Sequence, residues 1–302
     1  MYRFRKVLAH LGLRDGDEDA AIVQYASKVS HLAQSQRVEF IHVAAKVDVP
    51  TELKQRYPWL MEPIDEAARQ RMEQTVQAHY NGYEGAKMSV EVVDGIPSQL
   101  VLERAKTDDI DLIVAGHSED DGLLGTKLAR KATCSVLTVP AKANPEFERV
   151  LVPLDFSKYS NNAIDVAAAF GQAQGLQALH GLHVYSVPVG AHRAAMNKED
   201  FARDLKAHCE RTFNDFLKKA NCHGLQVESL LVESPLVPQA ILSAARQNKA
   251  DLIVLGCRGK DSFTAALLGS NTEAILREAT IPVVAVKEKG TGRALLQTLL
   301  GA

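Results

Sequence analysis

The chain contains one long internal repeat, and this repeat constrains the fold more than any other feature. The segment "IDLIVAGH" at 110–117 returns as "ADLIVLGC" at 250–257, and "KATCSVLTVP" at 131–140 returns as "EATIPVVAVK" at 278–287. The copies are 140 to 147 residues apart, which is the size of a domain and not of a solenoid repeat. The sequence therefore predicts two tandem copies of one domain.

The two copies also begin alike, and a polar segment separates them. "KVLAHLGL" at 6–13 corresponds to "RVLVPLDF" at 149–156, and "AKANPEFE" at 141–148 is polar and contains a proline, as short linkers do. The predicted segments are a first domain, a second domain and a C-terminal tail, at 1–141, 148–287 and 288–302.

Short apolar runs alternate with longer segments of helical spacing in both copies. Runs such as "VLVPL", "LHGLHVY", "LQVESLLV", "DLIVLG" and "PVVAV" lack polar alternation, which predicts strands buried on both faces. Strands that alternate with helices favour an α/β fold, here two tandem doubly wound domains, each with a five-stranded parallel sheet. In such sheets a ligand is expected at the carboxyl ends of the strands, where the strand order reverses.

Helix ends in the second copy are predicted from polar caps, proline and glycine. We place an N-cap at Ser160 and the end of the same helix at Gly175. Ser234 is predicted to cap a later helix, with Pro235 in its first position. The segment 198–220 has apolar residues at helical spacing and predicts the helix between these two.

Composition excludes several functional classes. The chain has 302 residues and a formal net charge of −2, so no basic surface for nucleic acid is expected. No stretch approaches the about 20 apolar residues of a membrane span, and a cytoplasmic location is expected. The four cysteines have no CxxC spacing, which is typical of reduced thiols and not of disulfides or a zinc site.

One loop of the second copy is suited to an anion. "GCRGKDSFTAALLGS" at 256–270 directly follows a predicted buried strand. Gly256 and Gly259 lack a Cβ, so their backbone N–H groups can approach a phosphate closely. Gly269 and Ser270 open the next predicted helix, whose unpaired N–H groups and positive dipole end favour an anion. A plain loop that connects strand and helix is the alternative.

Side chains add to this prediction, and two common phosphate motifs are absent. Ser270 and Thr272 offer hydroxyl donors, and Arg258 and Lys260 offer positive charge. The sequence has no Walker lysine motif, and no glycine-rich dinucleotide motif follows the first strand of either copy.

The loop resembles the nucleotide-binding signature of the universal stress protein family, in the spacing of Gly256, Gly259, Gly269 and Ser270. The segment 149–164 also resembles the family's opening strand, including an aspartate at its end. The resemblance implies that the second domain binds ATP, with Mg²⁺ at the phosphates, the adenine near the opening strand and the phosphates along the loop. The implied cofactor-binding residues are Pro153, Asp155, Val184, Leu255, Gly256, Arg258, Gly259, Gly269, Ser270, Asn271 and Thr272.

Two positions qualify the resemblance. Asp155 has an alternative role as a turn residue that bonds to the backbone after a strand. The family usually has a glycine after the third strand, where this chain has Glu233 and Ser234. A carboxylate there repels a polyphosphate unless a cation intervenes.

The first copy departs from the signature at both ends of the site. The segment 116–133 is shorter, and an acidic triplet at 119–121 takes the place of the phosphate loop. His10 and Gly12 stand where the second copy has the proline and aspartate of its opening strand. We expect no nucleotide in the first domain; the triplet with His117 is either a metal site or a solvated acidic loop.

Other candidate residues are assigned to packing. His180 and His183 are three apart in a predicted strand, which puts them on opposite faces and argues against a metal site. Cys257 is interpreted as a small residue beside a glycine, with a redox-sensitive thiol as the alternative.

No catalytic residue is predicted, because the sequence has no nucleophile elbow, no metalloprotease motif and no nucleophile beside an obvious base. The function that the resemblance implies is a stress-response regulatory protein that binds ATP in its second domain and hydrolyses it slowly or not at all. The alternative is a nucleotide-independent scaffold or sensor whose first domain binds another small ligand or a metal. Nucleotidyl transfer is disfavoured, because the histidine pair of that chemistry is absent.

The expected partners are an adenine nucleotide, a second copy of the chain and unidentified proteins. The last strands of the two domains, "CSVLTV" at 134–139 and "PVVAV" at 282–286, are apolar and uncharged. In the family resemblance these strands lie at sheet edges, and an exposed apolar edge invites pairing. We therefore expect the two domains of one chain to pair through these edges, with a homodimer of whole chains in addition.

Overall fold

A computed structural model provides the structure of the chain. It divides between Pro145 and Glu146 into two compact units, the first comprising residues 2–145 and the second residues 146–302. The residues that the structure describes are 4–13, 17–44, 56, 64–117, 123–187, 198–258 and 268–288.

The first unit has a parallel sheet in the order β3-β2-β1-β4-β5. Its described strands are β1 (Lys6–His10), β2 (Arg37–Ala44), β3 (Lys87–Asp94), β4 (Leu112–Gly116) and β5 (Ser135–Val139). Its described helices are α1 (Glu18–Ala33), α2 (Ile64–His79), α3 (Pro97–Thr107) and α4 (Leu124–Lys131).

The second unit repeats this order as β10-β9-β6-β7-β8, also parallel. Its described strands are β6 (Val150–Pro153), β7 (Ala178–Tyr185), β8 (Gln226–Glu233), β9 (Leu252–Gly256) and β10 (Val283–Val286). Its described helices are α5 (Lys158–Gln174), α6 (Lys198–Leu217), α7 (Val237–Gln247) and α8 (Ser270–Glu278). The predicted fold class is confirmed, and in each unit the strand order reverses between the first and fourth strands.

Strand burial follows position in the sheet. The central strands β4 and β9 are buried almost throughout, because helices cover both faces of a doubly wound sheet. The prediction that "LQVESLLV" is buried on both faces is wrong. This segment forms β8, the last strand in the order of its unit, and most of its residues are exposed or half-buried.

Helix ends are where the sequence predictions need most correction. Gly175 ends α5 at φ 83°, as predicted. The cap of α5 is Ser157 and not Ser160, because the Ser157 hydroxyl accepts the first free N–H groups. The cap predicted at Ser234 is also wrong: its hydroxyl accepts from Leu236 N at 3.1 Å, and α7 begins only after that turn.

Within the described helices, none has the length and apolar character needed to cross a membrane.

Candidate functional site

The second unit contains a cavity of about 560 Å³ at the carboxyl ends of its strands. It lies at the point where the strand order reverses, and its volume is within the range of ligand pockets. The predicted residues that line it are Pro153, Asp155, Val184, Leu255, Gly256, Arg258, Gly269, Ser270, Asn271 and Thr272. The eleventh predicted residue, Gly259, lies outside the described residues, as does Lys260.

Other lining residues were not predicted from the sequence. Several belong to α6 and α7, which form a wall of the cavity that no motif indicates. These residues are Leu154, Phe156, Ser160, Leu182, His183, His208, Cys209, Thr212, Val237, Ile241 and Ile275.

Asp155 is held by the turn that follows β6. Its Oδ1 accepts from Ser157 N at 3.0 Å and from the Ser160 hydroxyl at 2.6 Å. The Ser160 oxygen in turn accepts from Asp155 N at 2.9 Å. Asp155 is therefore a turn residue that bonds to the backbone after a strand, which is the alternative role that its sequence position allows. It also lines the cavity.

His183, on the neighbouring strand β7, contacts the same turn. Its Nδ1 lies 2.7 Å from the carbonyl oxygen of Leu154, and because a carbonyl only accepts, Nδ1 carries the proton. The ring packs 4.3 Å from that of Phe156, which has a left-handed φ of 63°. His180 Nδ1, by contrast, lies 3.2 Å from a carboxylate oxygen of Glu228.

The first unit repeats the histidine contact, since His42 Nδ1 lies 2.8 Å from the carbonyl oxygen of Leu11. The recurring "IHV" at 41–43 and "LHV" at 182–184 is the sequence signal that identifies this pair.

The amino end of α8 forms the opposite side of the cavity. Gly269 is in the cap position with φ −66° and ψ 142° and supplies no side-chain cap. The N–H groups of the first helical turn therefore have no partner within the helix, and together with the helix dipole they favour an anion. The Thr272 hydroxyl donates to the Gly256 carbonyl oxygen at 2.9 Å, which ties α8 to the end of β9.

Gly256 and Arg258 complete this side. A Cβ on Gly256 would lie 2.9 Å from the backbone carbonyl carbon of Tyr159, so glycine is required for the close approach of α5. Arg258 donates from Nη1 to the Tyr159 hydroxyl at 3.4 Å. Among the described lining residues, Arg258 is the one Lys or Arg side chain.

The thiols at the site are of low reactivity. Cys257 is buried, and burial raises the pKa of its thiol to about 11. Burial also raises the pKa of the Cys209 thiol, which lines the cavity. Because the thiolate is the reactive form, this environment argues against the redox-sensitive alternative for Cys257.

The model of the universal stress protein family matches residues 4–140 and again residues 146–287. The chain belongs to the universal stress protein family. The two matches also confirm that the family domain occurs in tandem.

Relatives of this universal stress protein align with one domain at a time. A universal stress protein of Thermus aquaticus, from the QAH/OAS sulfhydrylase 3' region, is 33% identical over 141 residues, which is 47% of this chain and 99% of the relative. Another, from Methanocaldococcus jannaschii, is 26% identical over 161 residues, covering 48% of this chain and 98% of the relative.

Solved structures share the fold along nearly the whole chain. A functionally unknown protein of Pseudomonas aeruginosa has a TM-score of 0.66 at 16% identity, covering 99% of this chain and 98% of its own. A universal stress protein of Archaeoglobus fulgidus has a TM-score of 0.59 at 18% identity, covering 94% of this chain and 97% of its own.

The first unit of this universal stress protein has different residues at the corresponding place. α4 has Leu123 in its cap position and the buried Leu124 as its first residue. By the 147-residue offset that matches 131–140 to 278–287, these two leucines stand where the second unit has Ser270 and Asn271. Two leucines thus replace a hydroxyl and an amide side chain at the amino end of the helix.

Carboxylates also lie at this end of the first sheet. The Glu18 carboxyl group lies against Gly116, and Asp19 accepts from Gly12 N and Leu13 N, both at 2.8 Å. The acidic triplet at 119–121 lies outside the described residues. In the described part of the chain, no group of three His, Cys, Asp or Glu side chains is placed to hold a metal ion.

Proposed function

We propose that this universal stress protein binds ATP with Mg²⁺ in the cavity of its second unit and acts as a stress-response regulatory protein, with little or no ATPase activity. The observation that carries the proposal is the convergence of ten predicted residues, from four separate segments, on one cavity. Arg258 and the amino end of α8, where Gly269 supplies no side-chain cap, make one side of this cavity suited to phosphates.

The remaining lining suits a planar base and offers little for catalysis. Phe156, Leu182 and Val184 supply aromatic and aliphatic surface beside Asp155. Mg²⁺ usually keeps several waters and binds the substrate phosphates, so it fits at the α8 end without a cage of carboxylates. Bound Mg²⁺ would neutralise phosphate charge. The Asp155 carboxylate is already engaged by two donors, which favours binding over general-base chemistry.

Calorimetric titration of the full chain with ATP and Mg²⁺ tests the proposal, and one site per chain is expected. Arg258→Ala should weaken binding by about 1.5–3 kcal/mol, the value of a hydrogen bond to a charged group. Arg277→Ala is the matched control, because Arg277 is an exposed cation at the far end of α8. Two equivalent sites, or no binding, would contradict the proposal; no binding would favour a nucleotide-independent scaffold.

We further propose that the two domains of one chain associate through "CSVLTV" at 134–139 and "PVVAV" at 282–286, and that whole chains form homodimers. The support is the apolar, uncharged character of both edges. Small-angle scattering should give a compact particle for the parent and a larger, flexible one for Val284→Lys with Val286→Lys. Two independent, flexibly linked bodies in the parent would contradict the domain pairing.

A further inference from the structure

Tyr159, in the first turn of α5, contacts two cationic side chains, of which Arg258 lines the cavity. Lys158 Nζ lies 5.2 Å from the centre of its ring, and the guanidinium carbon of Arg258 lies 5.8 Å from it. Both distances are within the range of attraction between a cation and an aromatic face. The Tyr159 hydroxyl also accepts the hydrogen bond from Arg258 at 3.4 Å.

The position of Tyr159 is fixed by the strand end from which Arg258 extends. A Cβ on Gly256 would lie 2.8 Å from Tyr159 Cβ and 2.9 Å from its carbonyl oxygen, so the start of α5 packs directly on the end of β9. Arg258 follows Gly256 by two residues. Tyr159 is therefore placed to hold Arg258 at the side of the cavity where α8 begins.

The first unit has a carboxylate at the corresponding position. α1 begins at Glu18, and its carboxyl group lies against Gly116, the counterpart of Gly256 at the end of β4. The next residue in each unit, Asp19 or Ser160, accepts from the backbone after the first strand, which fixes the correspondence. The same position is therefore an aromatic ring beside two cations in the second unit and a carboxylate in the first.

We propose that Tyr159 is a positioning residue that makes the cavity selective for nucleotides with a polyphosphate over the bare nucleoside. It acts through Arg258, the cavity-lining cation that its ring and hydroxyl hold. The inference rests on the proposed function, because it assigns a determinant of specificity to the proposed ATP site.

The test compares ATP and adenosine binding to the full chain by calorimetry, for the parent, Tyr159→Phe, Tyr159→Leu and Tyr159→Glu. Tyr159→Phe keeps the ring and should bind ATP within about twofold of the parent, since it loses only a weak hydrogen bond. Tyr159→Leu removes the ring and should weaken ATP about two- to fivefold. Tyr159→Glu copies the first unit and should weaken ATP about tenfold or more at low ionic strength, less at high ionic strength.

The affinity for adenosine distinguishes a positioning role of Tyr159 from a structural one. Its affinity should stay the same in every variant, because adenosine has no phosphate for Arg258 to meet. Equal losses for ATP and adenosine, or unchanged ATP affinity in both Tyr159→Leu and Tyr159→Glu, would overturn the inference while leaving the proposed ATP site standing. A parent that binds neither ligand would overturn both. If Tyr159→Glu does not fold, Tyr159→Leu against Tyr159→Phe decides by the same comparison.

Discussion

The Ser160 hydroxyl donates to Asp155 Oδ1 at 2.6 Å and, through the same oxygen, accepts from Asp155 N at 2.9 Å. This reciprocal pair closes the turn between β6 and α5, and it fixes the carboxylate that lines the cavity. Ser160 therefore controls the orientation of Asp155 although it is not the cap of the helix.

Ser160→Ala should weaken nucleotide binding and lower the free energy of unfolding by about 1–3 kcal/mol. The reason is that Asp155 N and Asp155 Oδ1 both lose the Ser160 hydroxyl as a hydrogen-bond partner. Ser157→Ala is the matched control: it removes the helix cap, at a cost of about 0.5–2 kcal/mol, but leaves the Asp155–Ser160 pair in place. Urea denaturation and ATP titration of both variants check the prediction. A similar loss of affinity in both would show that the pair has no separate role.

The two glycines of the candidate site should respond differently to substitution. Gly269 has φ −66°, which any residue can adopt, so Gly269→Val should fold normally and lose ATP binding because its side chain blocks the approach to α8. Gly256→Val should instead destabilise the second unit, since its Cβ would meet the backbone of Tyr159. Circular dichroism, thermal melting and ATP titration distinguish these outcomes. Normal ATP binding by a folded Gly269→Val variant would show that the loop is only a connector.

The repeat and the apolar runs were sufficient to predict the fold, because a tandem domain with alternating strands and helices has few compact arrangements. The glycines of the candidate site, Gly256 and Gly269, could also be assigned to the cavity from the sequence. The cap at Ser157 could not, since Ser157 and Ser160 are both good caps and only the turn at Asp155 decides between them. The α6 wall, with Cys209 and Thr212, depends on packing that helical periodicity does not specify.

Asp19 should give the first unit an unusual pH dependence. Burial raises the pKa of its carboxyl group above the usual value of 3.8. Hydrogen bonds from the backbone N–H groups of Gly12 and Leu13 lower this pKa, but burial has the larger effect. The folded state therefore holds this proton more tightly than the unfolded state. The free energy of unfolding then decreases as the pH rises from about 4 through the raised pKa.

Asp19→Asn should remove this part of the pH dependence, which chemical denaturation between pH 4 and neutral pH would measure. Asp215→Asn is the control, because Asp215 is exposed and its pKa is lowered by Lys218, which gives a small effect of opposite sign. A steeper decrease in the Asp19 variant than in the parent would contradict the assignment.

Cys257 should resist alkylation in the folded protein. With a pKa of about 11, fewer than about one in a thousand of its thiols are ionised near neutral pH, and the side chain is buried. Cys222 is half-buried and should react with iodoacetamide first, as peptide mass spectrometry would show. Modification of Cys257 at the rate of Cys222 would restore the redox-sensitive interpretation.

His183 and His42 make the same contact in the two units, and this allows the structural and functional effects of the contact to be separated. Each histidine donates from Nδ1 to the carbonyl oxygen just after the first strand, at 2.7 Å in the second unit and 2.8 Å in the first. Replacing either by alanine leaves that carbonyl without its partner, which should lower the free energy of unfolding by about 1–3 kcal/mol.

Only His183→Ala should also weaken ATP binding, because its contact holds Leu154 and the strained Phe156 on either side of Asp155. His42→Ala should keep the affinity of the parent, since the unit it stabilises has the apolar Leu123 and Leu124 in place of the polar Ser270 and Asn271. Calorimetric titration of both variants, at a temperature where both are folded, checks the prediction. If His42→Ala weakens ATP binding as much as His183→Ala, the loss reflects general destabilisation, and His183 does not position the turn for the ligand.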